Sequence, residues 1–376
     1  MKKIVIACDS FKGSLSSREV AEAFLQGVRE VAPRCEGIAL PLADGGEGTA
    51  EALAAALGGE FREVEVHDPL GRPVRARYAL VEKGRTAVVE LAAASGLALL
   101  GAEERNPLKS TTYGFGELIR DALQQGSRRL LLGLGGSATN DGGVGMLRAL
   151  GFRFRDCAGR ELSGGGEVLD QICSIDETGR LPELQGVEIR VVCDVRSPLC
   201  GPQGAAAVFG PQKGADPAMV ARLDRGLRSL AEVVERHNGL WMADLEGAGA
   251  AGGVGGTLAA LLGARLERGV ELVLELTNFA DRIAGADLVI TGEGRIDRQT
   301  LMGKLPQGVL QCAQKAHIPC IAIGGGVAWC EELRTAGFAE IHSITPEGMP
   351  LEEAMRPATA RENIRRMART IARKWE

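Results

Sequence analysis

The sequence predicts an α/β protein of two α/β domains, one a Rossmann-like parallel sheet built from both chain ends, the other a mixed α/β insertion. Three observations predict this. At 376 residues the chain exceeds what one compact core organises. Short apolar runs alternate with amphipathic helical stretches up to residue 60 and again from residue 280. Between them, polar and apolar residues alternate around turn signals. Neither terminal segment has strands enough for its own sheet. Residues 1–60 and 280–376 are therefore assigned to one discontinuous domain, and 61–279 to the insertion.

Taken in order, the run KKIVIAC suits a buried parallel strand; it is too short for a signal peptide and meets Asp9. SSREVAEAFLQGVREV follows as a helix, with Ser16 or Ser17 as N-cap and Val20, Phe24 and Val28 on one stripe. GIALPL is a second strand, and EGTAEALAAALG a helix ending at glycine. DPLGR and EKGR punctuate hairpins after residue 61. Then come the helix TTYGFGELIRDALQQG, the strand RRLLLGL, the helix GVGMLRALG and the strand FRFRD. VEIRVVCDV is a further strand, and PAMVARLDRGLRSLAEVVERHN a long helix. ADLVITG, IPCIAIGG and AEIHSIT are the closing strands. In ARENIRRMARTIARKW, Ile364, Met367, Ile371 and Trp375 recur at helical spacing, so its arginines form the solvated face of a docked helix.

Composition narrows the function. The net charge of −5 and an aromatic content of 4% argue against nucleic-acid binding. No segment is long enough to span a membrane, and the reading is a cytoplasmic protein. Nine cysteines without a C-x-x-C pair, and four scattered histidines, support neither a zinc site nor a disulfide framework; the thiols read as small apolar residues of a reducing compartment. Glycine is the exception: 52 residues, nearly twice the share set by an average usage of about 7%, cluster beside Ser, Thr, Asp and Glu as site loops.

In parallel sheets, ligands gather beyond the carboxyl ends of strands. Those ends carry DSFKGSLS with Asp9, Lys12 and Ser14; ADGGEGT with Asp44 and Glu47; and TGEGRIDRQT with Glu293, Arg295 and Asp297. Acidic side chains on glycine loops suit Mg²⁺, and lysine with helix-start amides suits phosphate. Asp194 ends a strong strand, GPQKGA frames Lys213, and EGAGAAGGVGG reads as either a second phosphate nest or a close-packed helix start.

GLGGSATNDGG, residues 133–143, is ambiguous by itself. Gly133, Gly135 and Ala138 fit G-x-G-x-x-A after a strand, and FRFRD ends at Asp156, where a ribose anchor would stand. That is the pattern of an NAD-dependent hydroxy-acid dehydrogenase. Against it, Asn140 and Asp141 replace the apolar helix start, and an acidic side chain repels a pyrophosphate. No Walker A loop and no HRD or DFG signature occurs.

With DSFKGSLS, LADGGEGT, GLGGSATNDGG, CDVRSPLCGPQGAAAVFGPQKGA, GAAGGVGG and VITGEGRIDRQTLMGKLPQGV in this order, the chain resembles the bacterial glycerate kinases from its first strand to its final helices. The resemblance implies ATP-dependent phosphorylation of D-glycerate, typically at the 2-hydroxyl to give 2-phosphoglycerate, in a cleft between the two domains. Residue type and location then suggest roles. Backbone amides from Gly135 and Gly136 to Asn140, with Ser137, Thr139 and Ser14, hold phosphoryl oxygens, and Lys12 and Lys213 add charge. Arg295 grips the glycerate carboxylate. Asp194, or secondly Asp141, orients or deprotonates the hydroxyl, while Asp44, Glu47 and Glu293 form an Mg²⁺ shell. Sequence leaves 3-phosphorylation, the dehydrogenase alternative and the oligomeric state open.

Overall fold

The computed structural model describes residues 1–43 and 48–375. Its strands in chain order are β1 (Lys3–Cys8), β2 (Glu36–Ala39), β3 (Glu60–His67), β4 (Pro73–Val81), β5 (Thr86–Glu90), β6 (Arg129–Gly133), β7 (Arg153–Arg155), β8 (Ser174–Asp176), β9 (Glu188–Val192), β10 (Arg265–Glu267), β11 (Leu288–Ile296), β12 (Cys320–Val327) and β13 (Glu340–Ser343). The described residues divide into two compact units, one of 1–43, 51–57 and 269–375, the other of 48–50 and 58–268. The segment 269–279, which the sequence reading left in the insertion, belongs with the terminal unit. The physical reason is Gly308: helix Gly269–Leu276 packs so closely on helix Leu305–Lys315 that a Cβ there would strike Val270 and Leu274.

The terminal unit holds a five-stranded, wholly parallel sheet in the order β13-β12-β11-β1-β2. Counted within the unit this is 2-1-3-4-5, the flavodoxin-like version of the doubly wound fold, whose switch point lies between β1 and β11. Ile4, Ile6, Cys8, Leu288 and Ile290 bury one face against helices Ser17–Val31 and Pro357–Trp375. The first of these helices is started by Ser16, whose hydroxyl accepts from the Glu19 amide while Glu19 accepts from the Ser16 amide. Gly27 lets the C-terminal helix lie against it, and arginines 361, 365 and 369 pair with Glu19 and Glu30. Ile364 and Ile371 are buried, so the expected docked stripe is present.

The inserted unit carries a six-stranded sheet, β10-β9-β6-β5-β4-β3, parallel from β10 to β5 and antiparallel beyond. The β3–β4 hairpin turns at DPLGR because Asp68 accepts from the amides of Leu70 and Arg72 and from the Arg72 guanidinium. Tyr78, Phe115, Phe152 and Phe154 fill its core.

Two expectations fail here. FRFRD does form β7, but β7 pairs antiparallel with β8 in a separate two-stranded sheet and never joins β6. That small sheet also brings Cys157 and Cys173, sixteen positions apart, to a Cα separation of 5.3 Å, and they form a disulfide. Cys spacing alone points to no disulfide framework, because this pairing depends on a hairpin register. Among the described residues, no helix is long and apolar enough to cross a membrane.

Candidate active site

In the terminal unit the switch point is a cavity of about 800 Å³. The backbone after β1 makes it. Asp9, 6% exposed, donates its amide to the Gly292 carbonyl, and its carboxylate accepts from Ser10. Phe11 and Leu15 then exchange backbone hydrogen bonds, pinching Lys12, Gly13 and Ser14 into a tight loop. Gly13 has φ +76°, and the Met355 methyl stands 2.9 Å from where its Cβ would be, so the loop needs glycine. The buried Ser14 hydroxyl has no hydrogen-bond partner among the described residues.

β11 supplies the facing edge. Glu293 accepts from the Thr300 hydroxyl at 2.7 Å and the Lys304 ammonium at 2.9 Å. Arg295 is largely exposed, 3.8 Å from Asp297, which caps the following turn by accepting from the Gln299 amide. Of the expected Mg²⁺ shell, only Glu293 falls among the described residues. Glu293 is committed to Lys304 and Thr300, and Asp44 and Glu47 lie outside the described residues. Among the described residues, no three His, Cys, Asp or Glu side chains group closely enough to hold a metal ion.

The inserted unit gathers a second cluster around the loop after β6. Asp141 is fully buried there and carries five donors: the Thr112 amide and hydroxyl at 2.7 and 2.8 Å, the Thr111 hydroxyl at 3.3 Å, and the Gly143 and Gly145 amides at 3.1 and 3.2 Å. Burial pushes its carboxyl above the usual range, and those bonds pull the other way. With both oxygens engaged by these donors, Asp141 pegs the loop to the start of helix Tyr113–Gln124. The expectation that every amide from Gly135 to Asn140 faces a phosphate also fails. Ala138 donates to the Ser95 carbonyl and Thr139 to the Ser137 hydroxyl, while Gly135 and Gly136 stay exposed.

Lys213 enters this loop from the turn Pro211–Lys213. Gly214, at φ +90°, lies on the Arg105 carbonyl, and the lysine behind it is only 2% exposed. Its ammonium donates to the Thr139 carbonyl at 2.6 Å and the Ser137 hydroxyl at 3.3 Å, both neutral. Burial lowers its pKa to about 8, partly countered by the Asp141 charge. Beside it Asn140 is fully buried, and among the described residues neither atom of its amide has a hydrogen-bond partner. A buried polar group left unmet costs about 1–3 kcal/mol, which marks this amide as made for something else. The glycine run is close packing and no phosphate nest: Gly252 sits on the Thr139 carbonyl and accepts from the Gly142 amide.

Asp194 is exposed, just past β9; Val192 pairs with Gly133, so β9 and β6 end side by side. The dinucleotide reading finds no support. Asp156, its ribose anchor, is occupied by the amides of Ala158 and Arg160 and the Arg160 guanidinium. Sequence reading missed Thr111, Thr112 and Lys304; the signal for the first two was a polar pair at a helix start. It also missed Glu90, which accepts from the amides of Gly48, Thr49 and Ala50 where a helix begins.

A ligand cavity at the switch point of a doubly wound sheet and a buried cationic loop in a second α/β unit define an enzyme that handles small anions. The chain matches the glycerate kinase family over residues 4–376 and belongs to it. It is 49% identical to the glycerate kinase of Bacillus subtilis over 371 residues, covering 98% of this chain and 97% of that one. It is 46% identical to the glycerate 2-kinase of Escherichia coli, again covering 98% and 97%. A crystal structure assigned as glycerate kinase 2 from Salmonella typhimurium LT2 superposes with a TM-score of 0.91 at 47% identity, covering 99% of this chain and 98% of that one.

Proposed function

We propose that this protein transfers the γ-phosphoryl group of ATP to the 2-hydroxyl of D-glycerate, giving 2-phosphoglycerate and ADP. The observation that carries it is the pairing of a buried ammonium, Lys213, held by neutral oxygens, with the unmet amide of Asn140. Such a site suits an anion with hydroxyl groups beside it. The names of the relatives support the acceptor and the regiochemistry.

In the step, the 2-hydroxyl oxygen bonds to the γ-phosphorus as the bond from phosphorus to the β–γ bridging oxygen breaks. The leaving electron pair stays on ADP, and the hydroxyl proton passes to Asp194. Lys213, Ser137, Thr139 and the exposed amides of Gly135 and Gly136 orient and neutralise the groups that react. Asp141 acts on them only by holding the loop.

Mg²⁺ enters as part of the nucleotide substrate. Asp9 and Asp297, which line the cavity, would hold it beside the nucleotide, where it would neutralise phosphate charge. The proposed location is the cytoplasm, where ATP is the common phosphoryl donor. A coupled ADP-release assay with D-glycerate, followed by NMR of the product, tests the reading. No ADP from a folded preparation refutes it, and 3-phosphoglycerate refutes the regiochemistry.

A further inference from the structure

We infer that the cavity of the terminal unit is the nucleotide subsite, taking a purine nucleoside triphosphate with its base on the methionine wall and its phosphates among Lys12, Arg295 and Lys304. This rests on the phosphoryl-transfer reading and names the site of its donor.

Size comes first. At about 800 Å³ the cavity suits a drug-sized or nucleotide-sized ligand and is several times too large for a three-carbon acid. Its chemistry is divided. Lys12, Arg295 and Lys304 stand on the side built by β1 and β11, and the long helix Ser17–Val31 begins just beyond that loop. Ile344, Met349 and Met355 line it as well, and the Met355 methyl reaches the Gly13 turn of that loop. A phosphosugar or a free phosphate has no use for that apolar wall. A flat aromatic base does, because thioethers pack on ring faces and edges and adapt to irregular gaps. Met355 is 39% exposed, and Leu351 and Trp329, at 74% and 55%, continue apolar surface along the chain segments that line the cavity.

Two further details point to a ligand. The Ser14 hydroxyl is buried in the cavity wall with no hydrogen-bond partner among the described residues. At the end of β12, a Cβ placed on Gly326 would meet nothing within 4 Å, so the strand backbone is open to close approach. Placing the nucleotide here moves Arg295 from the glycerate carboxylate, its role by residue type, to the phosphates.

The experiment uses the full chain labelled with ¹³C at its methionine methyls, titrated with Mg²⁺ and the non-hydrolysable analogue AMP-PNP. Inorganic triphosphate and adenosine serve as the half-ligands, and Met→Leu variants assign the signals. Met349 and Met355 are expected to shift with AMP-PNP and adenosine, and not with D-glycerate. By equilibrium titration, Lys12→Ala should weaken AMP-PNP and triphosphate about 10- to 100-fold, the worth of one charge-assisted phosphate contact. Met355→Ala should weaken AMP-PNP about fivefold or more and leave triphosphate binding within about twofold, since it removes a ring contact without adding charge. Lys213→Met should bind AMP-PNP as the wild type does. AMP-PNP binding that is lost in Lys213→Met and intact in Lys12→Ala and Met355→Ala, with the two methionine methyls unmoved, overturns the assignment. Nucleotide binding at the methionine wall without ADP release on D-glycerate supports the subsite and refutes the acceptor instead, so the two failures are distinct.

Discussion

Replacing Lys213 by Met probes what a buried cation does for this loop. The ammonium is 2% exposed, and burial takes its pKa from 10.5 to about 8. That displacement corresponds to about 3 kcal/mol against the charged form in the folded protein below pH 8. Methionine keeps most of the length of the side chain and removes this cost. It also removes the donors to the Thr139 carbonyl and the Ser137 hydroxyl, at about 1–3 kcal/mol for the carbonyl left unmet. The Ser137 hydroxyl retains the Thr139 amide at 3.0 Å. The variant should therefore be as stable as the wild type at pH 7 or more stable, with a Tm up to about 5 °C higher. Between about pH 8 and pH 10.5, native wild type binds fewer protons than its unfolded chain, so its stability climbs with pH by about 3 kcal/mol while the variant's does not. The advantage of the variant should fade across that window. Over the same comparison, kcat/KM at pH 7 should fall at least about 100-fold. Urea titrations at pH 7 and pH 10 with steady-state kinetics measure both. A variant several degrees less stable at pH 7, with no pH-dependent convergence, or one with normal kcat/KM, refutes the reasoning.

Three further outcomes are expected. In the wild type, kcat/KM should fall on the alkaline side with a midpoint near pH 8 as Lys213 loses its charge, and in Lys213→Arg that limb should move beyond pH 10; an unchanged limb assigns it elsewhere. Asp194→Asn should lower kcat about 100-fold or more with an unchanged Tm, and a rise in KM alone would remove Asp194 from proton transfer. Gly145→Ala puts a Cβ into the Thr111 hydroxyl and 2.9 Å from the Asp141 carboxylate, and should cost about 3 kcal/mol in a denaturant titration.

What the sequence disclosed was what local chemistry decides. Ser16 and Glu19 announce a helix start four residues long, and Asp68 to Arg72 announce a turn closed by their own side chains. The joining of both chain ends was legible because each end alone has too few strands. Long-range contacts were not legible. Lys213 is a candidate by its Pro/Gly frame in GPQKGA, but its burial depends on its approach to Thr139, 74 positions away. Asp141 is a second candidate to orient or deprotonate the hydroxyl by residue type, which shows its charge and not the two threonines, 29 and 30 positions earlier, that bind it. The apolar period of FRFRD specified a strand and left its neighbour undetermined, and that neighbour removed the dinucleotide reading and created the Cys157–Cys173 bond.

The pairing of β1 with β11 joins Ile4 to Leu288. During synthesis at about 5–20 residues per second, β1 waits on the order of tens of seconds at the ribosome before its central partner exists. The inserted unit, contiguous from residue 58 to 268, is complete before then and can fold while the first strand is still a short pair with β2. The order of assembly is thus written into the connectivity: inner unit first, outer unit last, closed when the C-terminal arginines reach Glu19 and Glu30. A premature stop between residues 268 and 288 leaves a finished inner unit attached to an apolar strand that lacks its central partner, the kind of nascent chain that holdases retain and proteases clear.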